Sequence, residues 1–133
     1  MNEPRTGAAV TGFVVGAAVA LAFAIIISLS PASLFLETPK RIAVYAVCAL
    51  AAPPTVWFLQ WVAKLRGHDQ RLLFTWAAAG AMTFDGLAIG FASALYGQTG
   101  QALAWTASAL IFAFASLIVA GQVMLGRVVP AAV

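Results

Sequence analysis

One cysteine, one histidine and four acidic residues are all that this chain has of the groups from which most active sites and metal centres are built. With Cys48 alone, an intrachain disulfide, a CxxC redox pair and a cysteine-built metal site are excluded. With His68 alone, ligation by two histidines of one chain is excluded too, so no cofactor is expected and a haem or metal would need a second chain. The sequence shows no nucleophile–base pair, no pair of carboxylates and no phosphate-binding glycine loop. Ordinary hydrolase chemistry therefore lacks its parts, and a non-enzymatic protein is expected. Charge is scarce as well, at 8% of 133 residues. A soluble domain carries roughly a quarter, so this chain could not cover a water-facing surface.

What is present is apolar: 63% of the residues are hydrophobic, in long runs. A membrane-crossing helix needs about 20 such residues, and four stretches qualify, over about 7–30, 41–63, 72–96 and 101–125. The expected fold is all-α, a single transmembrane four-helix bundle running up-down-up-down. The first stretch follows Arg5 and superficially resembles a signal peptide. Its length exceeds the roughly 7–15 residues of a signal core, and Pro31 after Ser28-Leu-Ser30 disfavours cleavage, so it is expected to stay as a span. Residues 31–39 form a short interfacial connection, Lys64 to Arg71 the strongly polar loop, and Gly97 to Gly100 a tight turn.

The net charge is +3, and the basic residues gather at helix ends, where lipid headgroups are the usual partner. The lipid bilayer is the expected partner, with other membrane subunits or a second copy of the chain beside it; nucleic acid is not. Arg5, Lys64, Arg66, Arg71 and Arg127 fall on one side of the membrane, Lys40 and Arg41 on the other. This bias places both termini and the central loop in the cytoplasm, in a bacterial inner membrane, and argues against dual topology. Spans two and four each end in a glutamine followed by a basic residue, Gln60 to Arg66 and Gln122 to Arg127. The need of any span for a basic cytoplasmic flank explains this pattern better than an internal repeat does.

Small residues recur at every fourth position of the first span, at Ala8, Gly12, Gly16, Ala20, Ala24 and Ser28. The third span has the same device at Gly86 and Gly90. This spacing lets helix backbones approach closely, so Gly12, Gly16, Ala20, Ala24, Gly86 and Gly90 are the expected helix-packing residues, chiefly within the chain.

Asp85 stands alone as an acid inside a span. A carboxylate at the bilayer centre costs about 2.5–3.5 kcal/mol on insertion scales, so such residues face protein or water. At about 100° per residue, Ala78, Ala81, Ala88 and Ala92 fall within roughly 60° of it, whereas Leu73, Phe84, Leu87, Phe91 and Leu95 centre about 120° away. Asp85 is thus predicted to face protein across an alanine-lined surface. Pro53 and Pro54, midway along the second span, remove two N–H groups and free the carbonyls of Ala49 and Leu50. Counting from the helix ends puts Asp85, Pro53, Pro54, Thr55 and Ser116 at one depth, and a protonated Asp85 is expected to donate to a freed carbonyl. This buried polar group could serve either as a proton site or as interhelical glue. The second reading is favoured, because proton relays chain several ionisable groups and Asp85 has no companion. Trp57, Trp61, Trp76 and Trp105 read as interface anchors, with Trp57-Phe-Leu-Gln-Trp61 an aromatic belt; Arg66, His68, Asp69 and Arg71 read as a solvated turn.

The aromatic end of span two, the basic turn through Arg71 and Gly80-Ala-Met-Thr-Phe-Asp85-Gly-Leu together resemble an uncharacterised bacterial family of small four-span membrane proteins, over about 53–97. In that family a Gly-Met-x-x-Asp pattern opens the second half of the third span; here Ala81 separates Gly80 from Met82. The family has no assigned activity, so the resemblance implies architecture. Small multidrug-resistance transporters share the size, but they use a glutamate in the first span, which here holds no acid. The expected function is that of a non-catalytic accessory or scaffolding subunit, or of a homo-oligomer. The alternatives are a small oligomeric proton-coupled transporter or channel using Asp85, and a lipid or quinone pocket between helices.

Overall fold

A computed structural model describes residues 3–126. The order is α1 (Glu3–Ser28), α2 (Ser33–Leu36), α3 (Thr38–Arg66), α4 (Gln70–Phe91), a 3-10 turn (Ser93–Tyr96) and α5 (Gly100–Gly126). The fold is all-α, with no strand among the described residues. Four helices, α1, α3, α4 and α5, are long and apolar enough to cross a membrane. The chain is a multi-pass membrane protein. Arg127 lies outside the described residues.

Helix ends follow from local chemistry. Pro39 sits in the first turn of α3, where a missing N–H is harmless. Gly67 ends α3 at φ 70°, a left-handed conformation that glycine adopts without strain. Asp69 then caps α4, its carboxylate accepting the Leu72 N–H at 2.8 Å.

α1 packs chiefly against α4, and α3 chiefly against α5. The α1–α4 contact is backbone to backbone. Ala8, Gly12, Gly16, Ala20 and Ala24 are all buried, as their spacing predicts. A Cβ on Gly12 would stand 2.5 Å from the Leu73 carbonyl oxygen, and one on Gly16 would overlap the Ala77 carbonyl. Gly80 answers from α4, where a Cβ would overlap the carbonyl of Phe13. Gly86 and Gly90 do not share in this packing: a Cβ at either meets nothing within 4 Å, and both residues are exposed. Their spacing is right for close approach, but among the described residues nothing comes within 4 Å of a Cβ on that face.

Two apolar clusters hold the helices together. Near the start of α4, Val56, Leu59 and Ala63 of α3 meet Leu73, Phe74 and Ala77 of α4 and Leu125 of α5, with Val15 of α1 against them. Leu73, which the helical projection puts on the bulky face away from Asp85, is fully buried because all four long helices converge at this level. The Phe74 ring occupies the space that a side chain on Gly121 would need. The second cluster joins Ala24 of α1, Ala88 of α4 and Tyr96, with Leu103 and Leu110 of α5 beside them. Burial along α3 changes at the proline pair: no residue from 38 to 51 is buried, whereas Ala52, Val56, Leu59 and Ala63 are. The first half of α3 instead leans on α5, through Tyr45 and Ser108 (2.5 Å between hydroxyls) and the Tyr45–Phe112 ring pair.

Candidate functional site

α4 stops earlier than its hydrophobic run. Ala92 leaves helical geometry at φ −142°, ψ 48°, and the chain turns through Ser93–Tyr96 before Gly97, at φ 65°, reverses it. The run from 72 to 96 therefore splits into a helix and a 3-10 turn. That break brings Tyr96 back along α4, where its hydroxyl donates to Asp85 Oδ1. Tyr96 is fully buried and Asp85 is 5% exposed. Around them lie the apolar side chains of the second cluster, including Ile27, Phe84 and Ile89.

Ala78, Ala81 and Ala88 are buried with Asp85, as the helical projection predicts. Ala92, predicted on the same face, is exposed because the helix has already ended. The expected polar cluster around the prolines does not assemble. Pro53 and Pro54 lie on an exposed part of α3, and Leu50, whose carbonyl they help to free, is 75% exposed. Thr55 donates to the Ala51 carbonyl at 2.8 Å and Ser116 to the Phe112 carbonyl at 2.9 Å, each within its own helix. Asp85 takes its hydrogen bond from Tyr96, not from the level of the prolines. Equal depth along helices is not adjacency; which faces meet decides it.

A second buried polar residue, missed in the sequence, lies two positions on. Gln98 is 3% exposed, and its amide nitrogen donates to the Ser30 carbonyl at 3.0 Å and the Ile27 carbonyl at 3.2 Å. These carbonyls lie at and just past the end of α1; that of Ile27 also accepts from the Ser30 N–H at 3.0 Å. Gln98 Oε1 is buried with no hydrogen-bond partner among the described residues. Gly97 packs against Ser28, so this short turn is fastened to α1 on both sides of its reversal.

The polar loop is less solvated than its composition suggests. Arg71 donates through Nη2 (3.0 Å) and Nε (3.3 Å) to the Leu125 carbonyl at the end of α5. His68 is half-buried against Gly7, with Nε2 3.4 Å from the Thr11 hydroxyl. At the other end, Arg41 donates to the Phe35 carbonyl at 3.0 Å and lies 3.5 Å above the Trp105 ring, so Trp105 is a cation–π partner as well as an aromatic near the interface.

No family model matches this chain, and neither a curated protein nor a solved structure is found to be similar to it.

Proposed function

We propose that this chain is a non-catalytic integral membrane protein that works as an accessory or scaffolding subunit of a membrane complex, or as a homo-oligomer. The observation that carries the reading is the closed Asp85–Tyr96 pair. An acid that exchanges protons with a transported substrate needs a path for water. Asp85 instead is 5% exposed beside apolar side chains from α1, α4 and α5, and its Oδ1 accepts from one phenol. Such a pair orders helices. Gly86 and Gly90 add support, since their open face leaves room for a helix from outside the chain to approach closely.

The same reading places the protein in a bacterial inner membrane, with the start of α1, the α3–α4 loop and the end of α5 in the cytoplasm. Charge supports it beyond the basic-residue bias. On the opposite side, Lys40 is paired with Glu37 at 2.7 Å, and Arg41 is engaged by the Phe35 carbonyl and the Trp105 ring. The reading also keeps the chain with the small four-span membrane proteins that residues 53–97 resemble.

Native mass spectrometry of the chain extracted from its own membrane tests the proposal. The expected result is a defined homo-oligomer or a stoichiometric complex with another membrane protein. A stable lone monomer would overturn it, as would proton-driven flux through proteoliposomes that Asp85→Asn abolishes.

A further inference from the structure

At the far end of α4 from Asp85, an open cavity of about 400 Å³ is lined by Arg5 of α1 and by Asp69, Arg71, Leu72 and Thr75 around the start of α4. Its volume lies in the range of small-ligand sites, roughly 300–1,000 Å³. The two arginines come from different helices and are held differently. Arg71 is fixed by the Leu125 carbonyl through Nε and Nη2, which leaves its Nη1 side unused. The Arg5 guanidinium has no hydrogen bond among the described residues and is exposed. Two arginines lining one cavity suit a phosphate, whose oxygens accept from guanidinium N–H groups. Asp69 adds the opposite charge. Among the described residues only its Oδ1 is occupied, by the Leu72 N–H, so its second oxygen remains to accept from a cation.

We propose that this cleft binds a membrane phospholipid whose headgroup carries a phosphodiester and a primary ammonium, with the phosphate held between Arg5 and Arg71 and the ammonium against Asp69. A cleft of arginines alone would take any anion; an acid among them favours a ligand that carries both signs. The ligand is a lipid and not a soluble phosphate ester, because the cleft stands at the end of membrane-crossing helices and an apolar side of α4 continues from its Leu72. Trp76 on α4, four residues from Leu72 and about 40° from it around the helix, is 41% exposed. An acyl chain has this side of α4 to follow from the headgroup.

The test is native mass spectrometry of the full chain in detergent with an equimolar mixture of phosphatidylethanolamine and phosphatidylglycerol of matched acyl chains. Soluble phosphoethanolamine is offered separately. Wild type is expected to retain phosphatidylethanolamine preferentially, and Arg5→Ala to lower that retention about fivefold, the loss of one basic contact at a lipid surface. Asp69→Asn keeps the helix cap, because asparagine caps as well as aspartate. It is expected to erase the preference between the two lipids while circular dichroism stays unchanged. Three results overturn the proposal: retention by Arg5→Ala equal to wild type, a wild-type preference for phosphatidylglycerol, or soluble phosphoethanolamine bound as tightly as the lipid. The last would mark a site for free phosphate esters.

Discussion

The Tyr96 hydroxyl donates to the Asp85 carboxylate across the break that ends α4, so one hydrogen bond ties the helix to the turn that follows it. The pair is intrachain and local, eleven residues apart, yet it sits where α1 and α5 also meet α4. The turn is in turn fastened to α1 through Gln98 and Gly97. Asp85 thereby acts on helix arrangement through Tyr96.

Removing one partner of this pair is predicted to hurt more than removing both. Tyr96→Phe keeps the ring but leaves a buried carboxyl without its donor, an expected loss of about 1–3 kcal/mol. Asp85→Leu leaves the phenol orphaned, with a loss of similar size. The double variant removes both polar groups and is expected to recover part of the stability, because replacing both partners by apolar groups can be nearly neutral. Thermal unfolding in detergent, arranged as a double-mutant cycle, measures the coupling. Strict additivity of the two losses would show that the bond contributes nothing.

Glycines of equal spacing are predicted to respond in opposite ways. Gly16→Ala drives a methyl group into the Ala77 carbonyl, and backbone cannot yield as a side chain can. The expected loss is about 1–3 kcal/mol, with α1 loosened from α4. Gly86→Ala meets open space and sits inside a helix, so it is expected to be neutral or to stabilise by roughly 0.5–1 kcal/mol. Unfolding midpoints of the two variants, compared under one detergent, check the contrast. Equal destabilisation at both positions would contradict the packing described for α1 and α4.

Asp69 offers a separable measurement of helix capping. Asp69→Ala removes the acceptor of the Leu72 N–H and is predicted to cost about 1 kcal/mol, whereas Asp69→Asn retains the cap. Hydrogen exchange over the first turn of α4 reads the difference, with faster exchange expected only in the alanine variant.

The four long helices and the inner face of α1 were legible in the sequence because both rest on strong, local signals: length of apolar run and a fourfold spacing of small residues. Asp85 was legible as buried for a similar reason, since Ala78, Ala81 and Ala88 share its face by simple rotation about the helix. Its partner was not. Tyr96 reaches Asp85 only because the helix breaks at Ala92, and no proline or glycine stands at that position to announce the break. The run reads as one continuous span; tertiary contacts end it early. Gly97, which reverses the chain just beyond, was the available signal. The polar level around Pro53 failed for a different reason. Depth can be counted along a helix, but the rotation of α3 relative to α4 is set by packing at Val56, Leu59 and Ala63, which turns the prolines outward. Arg71 capping α5 likewise joins residues 54 positions apart, a contact without local signature.

The orientation in the membrane yields the most direct prediction. Lys64 and Thr99 are both exposed and stand at opposite ends of the bundle, at the end of α3 and just before α5. In a Cys48→Ser background, which removes the native thiol, Lys64→Cys and Thr99→Cys each supply one reporter. A membrane-impermeant maleimide added to intact cells is expected to label Thr99→Cys at once, and Lys64→Cys only after the membrane is permeabilised. The physical basis is the retention of basic flanks on the cytoplasmic side during insertion. That force acts on Lys64, Arg66 and Arg71 together, while Lys40 and Arg41 at the other end are engaged by Glu37, the Phe35 carbonyl and Trp105. Labelling of Lys64→Cys in intact cells would invert the topology. Equal labelling of both reporters would mean that the chain inserts in two orientations, which the asymmetry of its basic residues argues against.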